Sequence, residues 1–288
     1  MAPSNVYPIR SSTPDGAAPP LLRWAGSKQK LLPILLAQIP DQYGTYFEPF
    51  VGSARFFFAL NPVKAVLSDL NKELISTYRT LRRYPTQVYQ LASSMPCDDV
   101  SYYRIRDQHN PDSGNIANAA RFIYLNRYCF NGVYRTNRAG HFNVPRGKRV
   151  GQFPPLEAFE GCASSLHSAK LLAGDFEAAL KLAKDGDFVY LDPPYAKSRG
   201  RFRGEYGYKS FTGSDVGRLL ESLNVLDKNR VKFLLSYSFC SEIRPAIEKW
   251  YSKTLLVKRQ VAGFSRHRGN KREVLIANFQ FRALPVTR

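Results

Sequence analysis

Cysteine and histidine are scarce in this chain of 288 residues, at four each. Cys97, Cys129, Cys162 and Cys240 form no C-x-x-C pair, and the histidines are equally scattered. That spacing gives neither a zinc signature nor a disulfide framework. No metal is expected, and free thiols suit a reducing, cytoplasmic setting. Long apolar runs are also missing. Nothing in the sequence approaches the ~18 consecutive apolar residues of a membrane span, and the first residues hold no apolar stretch of the secretory kind. No membrane partner is expected from such a chain. Acidic residues are few: 23 Asp+Glu stand against 42 Lys+Arg, a formal net charge of +19.

That excess points to a polyanionic partner, most simply nucleic acid. It is spread along the chain rather than gathered in a tail, which favours a folded basic surface. A hydrophobic content of 44% is enough to build a core and argues against wholesale disorder. The length suits one large domain or two modest ones.

Residues 1–20 are rich in Pro, Ser, Ala and Gly and read as a flexible leader. A helical apolar pattern follows over Lys30–Ile39, with Pro33 in its first turn. Short apolar runs at Thr45–Phe47, Val63–Leu67, Phe188–Leu191 and Val231–Leu235 suit strands buried on both faces of a parallel sheet. Helical segments lie between them at Arg55–Leu60, Asn71–Arg83, Phe176–Ala183 and Ser214–Leu226, the last with Ser214 as its N-cap. The alternation predicts a doubly wound α/β sheet. Two β-rich runs, Thr254–Val261 and Arg272–Phe279, are joined by too short a loop for a parallel crossover and predict a closing antiparallel hairpin. Residues 81–170 break the alternation. They hold a helix-like Asn115–Tyr128 and a turn-rich stretch with Gly132, Gly140 and Gly147, and read as an inserted second domain between 21–80 and 171–288.

The run Asp192-Pro193-Pro194-Tyr195 directly follows an apolar strand. Ligands bind beyond the carboxyl ends of such strands. Two prolines stiffen the turn and leave carbonyls free to accept. An acid, a rigid carbonyl and an aromatic ring together suit a planar ligand bearing an NH₂ group; alone they also suit a rigid turn with a capping Asp. Glu48-Pro49-Phe50-Val51-Gly52-Ser53-Ala54 is a small-residue turn before a helix, and Asp69 ends the next strand 17 residues after Gly52. That spacing suits ribose hydroxyls of a nucleoside-containing cofactor. Trp24 and Lys28 flank a further Gly-containing turn, offering a stacking face and a cation.

In this order the motifs resemble those of the Dam-type DNA adenine-N6 methyltransferases, over about residues 21–279. The resemblance rests on Trp24–Lys28, Glu48–Ala54, Asp69-Leu70-Asn71, Tyr124–Gly147, Asp192–Tyr195 and Lys271–Phe279. It departs from the family pattern at Ser27 and Ala54, where the family has glycine. Ala54 is the position at which a Cβ is expected to approach the cofactor.

The resemblance implies a Rossmann-like methyltransferase sheet ending in an antiparallel hairpin. It also implies an inserted, mainly helical DNA-recognition domain that carries a β-hairpin. The implied cofactor is S-adenosylmethionine, held by Trp24, Lys28, Phe50, Gly52, Asp69 and Asp192. Asp192, Pro193, Pro194 and Tyr195 would be catalytic. Arg127, Asn131, Val133, Arg135, Asn137 and Lys148 would contact double-stranded DNA, with Arg135 reading a base. The basic stretches 197–203 and 265–271 suit phosphate contacts. The expectation is a monomer on DNA that methylates N6 of a flipped adenine in a short duplex site, with GATC the leading guess. A catalytically weak DNA-binding module, or an enzyme for cytosine N4 or RNA, remains as the alternative.

Overall fold

The computed structural model describes residues 7–8, 21–24, 28–108, 115–148, 150–196, 211–258 and 270–283. Its centre is a seven-stranded sheet. The strands are β1 (Tyr46–Glu48), β2 (Ala65–Asp69), β3 (Ala169–Ala173), β4 (Phe188–Leu191), β5 (Lys232–Ser238), β6 (Tyr251–Lys258) and β7 (Asn270–Ala277). Their spatial order is β3-β2-β1-β4-β5-β7-β6. The first five strands run parallel, and β7 is antiparallel to both β5 and β6.

Strand chemistry explains the layering. Successive side chains alternate between faces, and here both faces are apolar. Tyr46, Leu67, Phe188, Tyr190, Leu234 and Leu275 enter one core. Their neighbours Phe47, Val66, Val189, Leu191, Leu235 and Ile276 enter the other. The first face is covered by α1 (Leu32–Leu36), α2 (Arg55–Leu60), α3 (Lys72–Arg83), α4 (Pro85–Ser94), α6 (Ile116–Tyr128) and α7 (Leu156–Leu166). The second is covered by α8 (Phe176–Leu180), α9 (Gly213–Lys228) and α10 (Arg244–Lys249).

The helix ends are set by local chemistry. The Asn71 side chain accepts from Leu74 N–H to start α3, and Asn115 does the same for α6 through Asn118 N–H. Ser214 is not the cap of α9. Thr212 is, because Asp215 sits three residues on and returns its carboxylate to the Thr212 N–H, closing a capping box. The strand Ala169–Ala173 lies where the alternation gave no signal. It is an edge strand with Lys170 and Ala173 exposed and Leu172 half-buried.

Between Leu81 and Ala169 the chain adds α4, α5 (Asp99–Asp107), α6 and α7. Buried Val88, Ala119, Ile123 and Phe159 of this stretch share one core with Leu74, Ile75 and the sheet. A separate small cluster of Tyr102, Ile105, Tyr124, Leu125, Cys129, Phe142 and Val144 anchors the turn-rich segment after α6. That segment makes no strand ladder. A 3-10 turn at Phe130–Gly132 leads into two isolated antiparallel bridges, Cys129 with Arg146 and Thr136 with Phe142.

Candidate active site

The carboxyl ends of β1, β2 and β4 meet the segment before α1 in one polar cleft. At its floor Lys28 Nζ lies 2.8 Å from Asp192 Oδ1 and 3.0 Å from Glu273 Oε1. It donates to the Tyr195 hydroxyl at 2.7 Å. The Tyr195 hydroxyl donates to both Glu273 oxygens at 3.0 Å, and Ser236 Oγ donates to Glu273 Oε1 at 2.8 Å. Burial alone would push the Lys28 pKa down. Asp192, Tyr195 and Glu273 outweigh it and hold the ammonium firmly charged. The Tyr195 ring stands edge-on to Tyr237, 5.4 Å between centroids, while Tyr237 accepts from the Ala196 N–H. The stiff prolyl turn therefore has its far end fastened as well.

Deeper in, Glu48 is fully sequestered at the end of β1 and accepts from the Tyr46 hydroxyl at 2.6 Å. Burial pushes its pKa up to about 8, against the lowering effect of that hydrogen bond; the charge on Asp192 pushes it further the same way. At neutral pH Glu48 is a neutral acid. The two carboxyl groups have different partners, a cation for Asp192 and a phenol for Glu48.

The next turn is built around Gly52, whose φ is +45°. Its N–H donates to Asp69 Oδ2 at 3.0 Å, and its carbonyl accepts from the Tyr78 hydroxyl at 2.7 Å. The Asn71 N–H donates to Asp69 Oδ1 at 2.9 Å. Burial raises the Asp69 pKa, and these backbone N–H groups oppose the rise. With about four lone-pair sites, the carboxylate keeps acceptor capacity for a ligand hydroxyl. Trp24 lies directly on Gly52: a Cβ there would stand 2.8 Å from Trp24 Cδ1. The other side of Trp24 stacks on Tyr134, with centroids 6.1 Å apart and planes 16° apart. Phe50 joins Phe176 and Phe211 in an aromatic wall. Ala54 corrects an expectation. It is wholly buried in the main core with φ +53°, so its methyl group faces core atoms and not the cleft. Ser27 and the basic stretches 197–203 and 265–269 fall outside the described residues.

The turn-rich segment is tied to this cleft. Gly132 presses on Arg23, whose backbone is clasped by Asn126: Arg23 N–H donates to Oδ1 at 2.8 Å and Nδ2 donates to the Arg23 carbonyl at 2.6 Å. Arg127 donates to the Gln152 carbonyl and is half-buried. Asn131 adopts φ +55° in the 3-10 turn, and Val133 packs on the small cluster. The Arg135 guanidinium is held by Asn143, Nε to Oδ1 at 2.8 Å. Asn137 is exposed, but its amide oxygen caps the N–H groups of Ala139 and His141 at 3.0 Å each. Arg138 and Lys148 are exposed.

Against known proteins, the family model of the D12 class N6 adenine-specific DNA methyltransferases matches residues 24–272. The chain belongs to that family. It is an adenine-specific DNA methyltransferase, hence a transferase. It is 33% identical over 270 residues to the type II methyltransferase M1.LlaDCHI of Lactococcus lactis subsp. cremoris, covering 90% of this chain and 95% of that protein. It is 30% identical over 262 residues to the DNA adenine methylase of Escherichia coli strain K12, covering 88% of this chain and 91% of that protein. A type II methyltransferase of Methanocaldococcus jannaschii is 29% identical over 289 residues, with 90% of this chain and 99% of that protein covered.

For this adenine methyltransferase, the cleft brings together Lys28, Asp192 and Tyr195 in one cluster, and Trp24, Gly52 and Asp69 in a second. Two carboxyl groups, Glu48 and Glu273, were given no role on sequence grounds. Glu273 was visible only as an acid heading the apolar run Val274–Ala277. Among the described residues no helix is long and apolar enough to cross a membrane, and no group of three or more His, Cys, Asp or Glu could hold a metal.

Proposed function

We propose that this chain transfers a methyl group from S-adenosylmethionine to N6 of an adenine flipped out of a short duplex DNA site, GATC being the leading assignment. The observation that carries the reading is the fixed Asp192–Tyr195 turn, with its acid and ring held at the end of β4 by Lys28 and Tyr237. The cofactor supplies a sulfonium-bound methyl group when bound. The residues present fit it: Gly52 and Trp24 pack closely beside Asp69, Asp69 retains acceptor capacity for ribose hydroxyls, and Phe50 with its aromatic neighbours suits an adenine ring.

The exocyclic N6 is a poor nucleophile because its lone pair is delocalised into the ring. Asp192 and the Pro193 carbonyl accept from its two N–H bonds, favour a more tetrahedral nitrogen and stabilise its developing positive charge. Tyr195 offers a ring for the extrahelical base to stack on. Much of the remaining rate enhancement comes from orientation.

Residues 81–170 serve as the DNA-recognition unit in this reading, with 21–80 and 171–288 as the catalytic unit. Arg127, Asn131, Val133, Arg135, Asn137 and Lys148 line its DNA face, and exposed Arg138 joins them. Arg135 reaches a base once Asn143 releases it. The enzyme acts as a monomer on DNA in the cytoplasm.

The test is to incubate plasmid with S-adenosylmethionine carrying a labelled methyl group and map the modified bases. N6-methyladenine at one short site is the expected product, and Asp192→Ala abolishes it while the chain stays folded. Label on cytosine N4 or on RNA, or none with the cofactor bound, refutes the proposal.

A further inference from the structure

Glu273 has no part in the scheme above, yet three side chains of the cleft engage it. It is 4% exposed and sits on β7 opposite Ser238 of β5. Three side chains converge on it: Ser236 Oγ at 2.8 Å, the Tyr195 hydroxyl at 3.0 Å and Lys28 Nζ at 3.0 Å. A buried carboxylate costs several kcal/mol of desolvation unless it is paired, and the residues that follow it in the strand, Val274 to Ala277, are buried and apolar.

Lys28 is the connection to the chemistry. An ammonium has three N–H bonds, and those of Lys28 have three partners: Asp192, Tyr195 and Glu273. One of them goes to Asp192 Oδ1, on the carboxylate that accepts from the target amine in this scheme. One cation therefore serves two carboxylates, and Asp192 is not its only anionic home.

We propose that Glu273 is a positioning residue for methyl transfer. It steadies the Tyr195 hydroxyl and keeps the Lys28 ammonium shared, so that the ammonium swings from Asp192 to Glu273 when the target amine arrives. The proposal rests on the methyltransferase reading of this cleft. Replacing Glu273 by an uncharged isostere leaves Asp192 as the sole anionic partner of Lys28, and the ammonium then competes with the substrate for that carboxylate.

Glu273→Gln keeps the shape and an acceptor oxygen while removing the charge. The expected result is a kcat, at saturating cofactor and DNA, lower by on the order of 10²-fold. The calorimetric affinity for S-adenosylhomocysteine stays close to that of the wild type. The loss of kcat in the double variant Lys28→Met/Glu273→Gln is smaller than the product of the two single losses, because both changes disturb one shared pairing. In thermal melting, Lys28→Met lowers the midpoint more in the wild type than in the Glu273→Gln background. Undiminished kcat in Glu273→Gln, or a double variant whose loss equals the product of the single losses, overturns the proposal. A wild-type chain that transfers no methyl group overturns the reading of the cleft instead; the melting comparison is independent of activity and still reports whether Lys28 and Glu273 are coupled.

Discussion

Gly52→Ala is the most incisive single perturbation of the cofactor turn. The residue has φ +45°, where an L side chain is strained by roughly 1–2 kcal/mol. The added Cβ also meets the Trp24 ring at 2.8 Å, closer than any relaxed contact. The backbone cannot turn away, because its N–H is bound to Asp69 and its carbonyl to Tyr78. Trp24 cannot easily retreat either, since Tyr134 stacks on its other side. Overpacking of this kind costs about 1–3 kcal/mol, so the combined loss is about 2–5 kcal/mol. With an unfolding entropy of about 2.1 cal/mol/K per residue, that loss lowers the melting temperature by roughly 3–8 °C. Differential scanning calorimetry measures it. A cycle with Trp24→Ala separates the two costs: removing the ring relieves the contact but not the backbone strain, giving a coupling of about 1–3 kcal/mol. A Gly52→Ala protein melting within about 1 °C of the wild type would refute the geometry.

Glu48 makes stability fall with rising pH. Its folded pKa of about 8 lies above the ordinary 4.5, so the folded state binds the extra proton and its advantage is lost between those values as pH rises. Glu48→Gln flattens that part of the stability profile, as urea titrations from pH 5 to about 9 would show; an unchanged slope would rule out a buried neutral Glu48. Asn126→Ala orphans both backbone groups of Arg23 and costs about 2–4 kcal/mol by urea unfolding; a loss under about 0.5 kcal/mol would mean that water replaces the amide. Arg135→Ala reduces discrimination at one base pair by about 1–3 kcal/mol in binding competition, whereas equal loss on all sequences would make Arg135 a phosphate contact. DNA affinity falls with salt at a log–log slope of about −0.9 per phosphate neutralised; a flat profile would deny the basic surface its role.

The four central strands were legible because each is a short apolar run ending in Asp, Glu or Ser, the pattern of a strand buried on two faces with a polar carboxyl end. Ala169–Ala173 was not, because Ala-Lys-Leu-Leu-Ala has weak strand propensity and only an edge position to fill. Trp24, Gly52, Asp69 and Asp192 could be singled out since each sits in a local pattern of turn residues. Glu273 could not. Its neighbours Lys271 and Arg272 make it look solvated, and the groups that make its burial tolerable, Lys28, Tyr195 and Ser236, lie 245, 78 and 37 positions away. The turn-rich segment was recognisable from its glycines, but not the absence of a ladder. Its backbone pairs only in short pieces, Asn137 N–H to the His141 carbonyl at 2.8 Å and Asn143 N–H to the Arg135 carbonyl at 3.1 Å, with Asn137 and Arg135 side chains bonding alongside, so isolated bridges form in place of a continuous ladder.

The place of β7 bears on how this protein comes off the ribosome. β7 follows β6 in the chain but lies between β6 and β5 in the sheet. During synthesis β6 therefore emerges with no partner, while β5 waits with one side open, a period in which strand edges invite association. Closure and the arrival of Glu273 happen in the same event. A nascent or prematurely terminated chain that stops before Asn270 lacks both the strand that closes β5 and the second anion for Lys28, so one strand supplies the last of the sheet and a part of the site together.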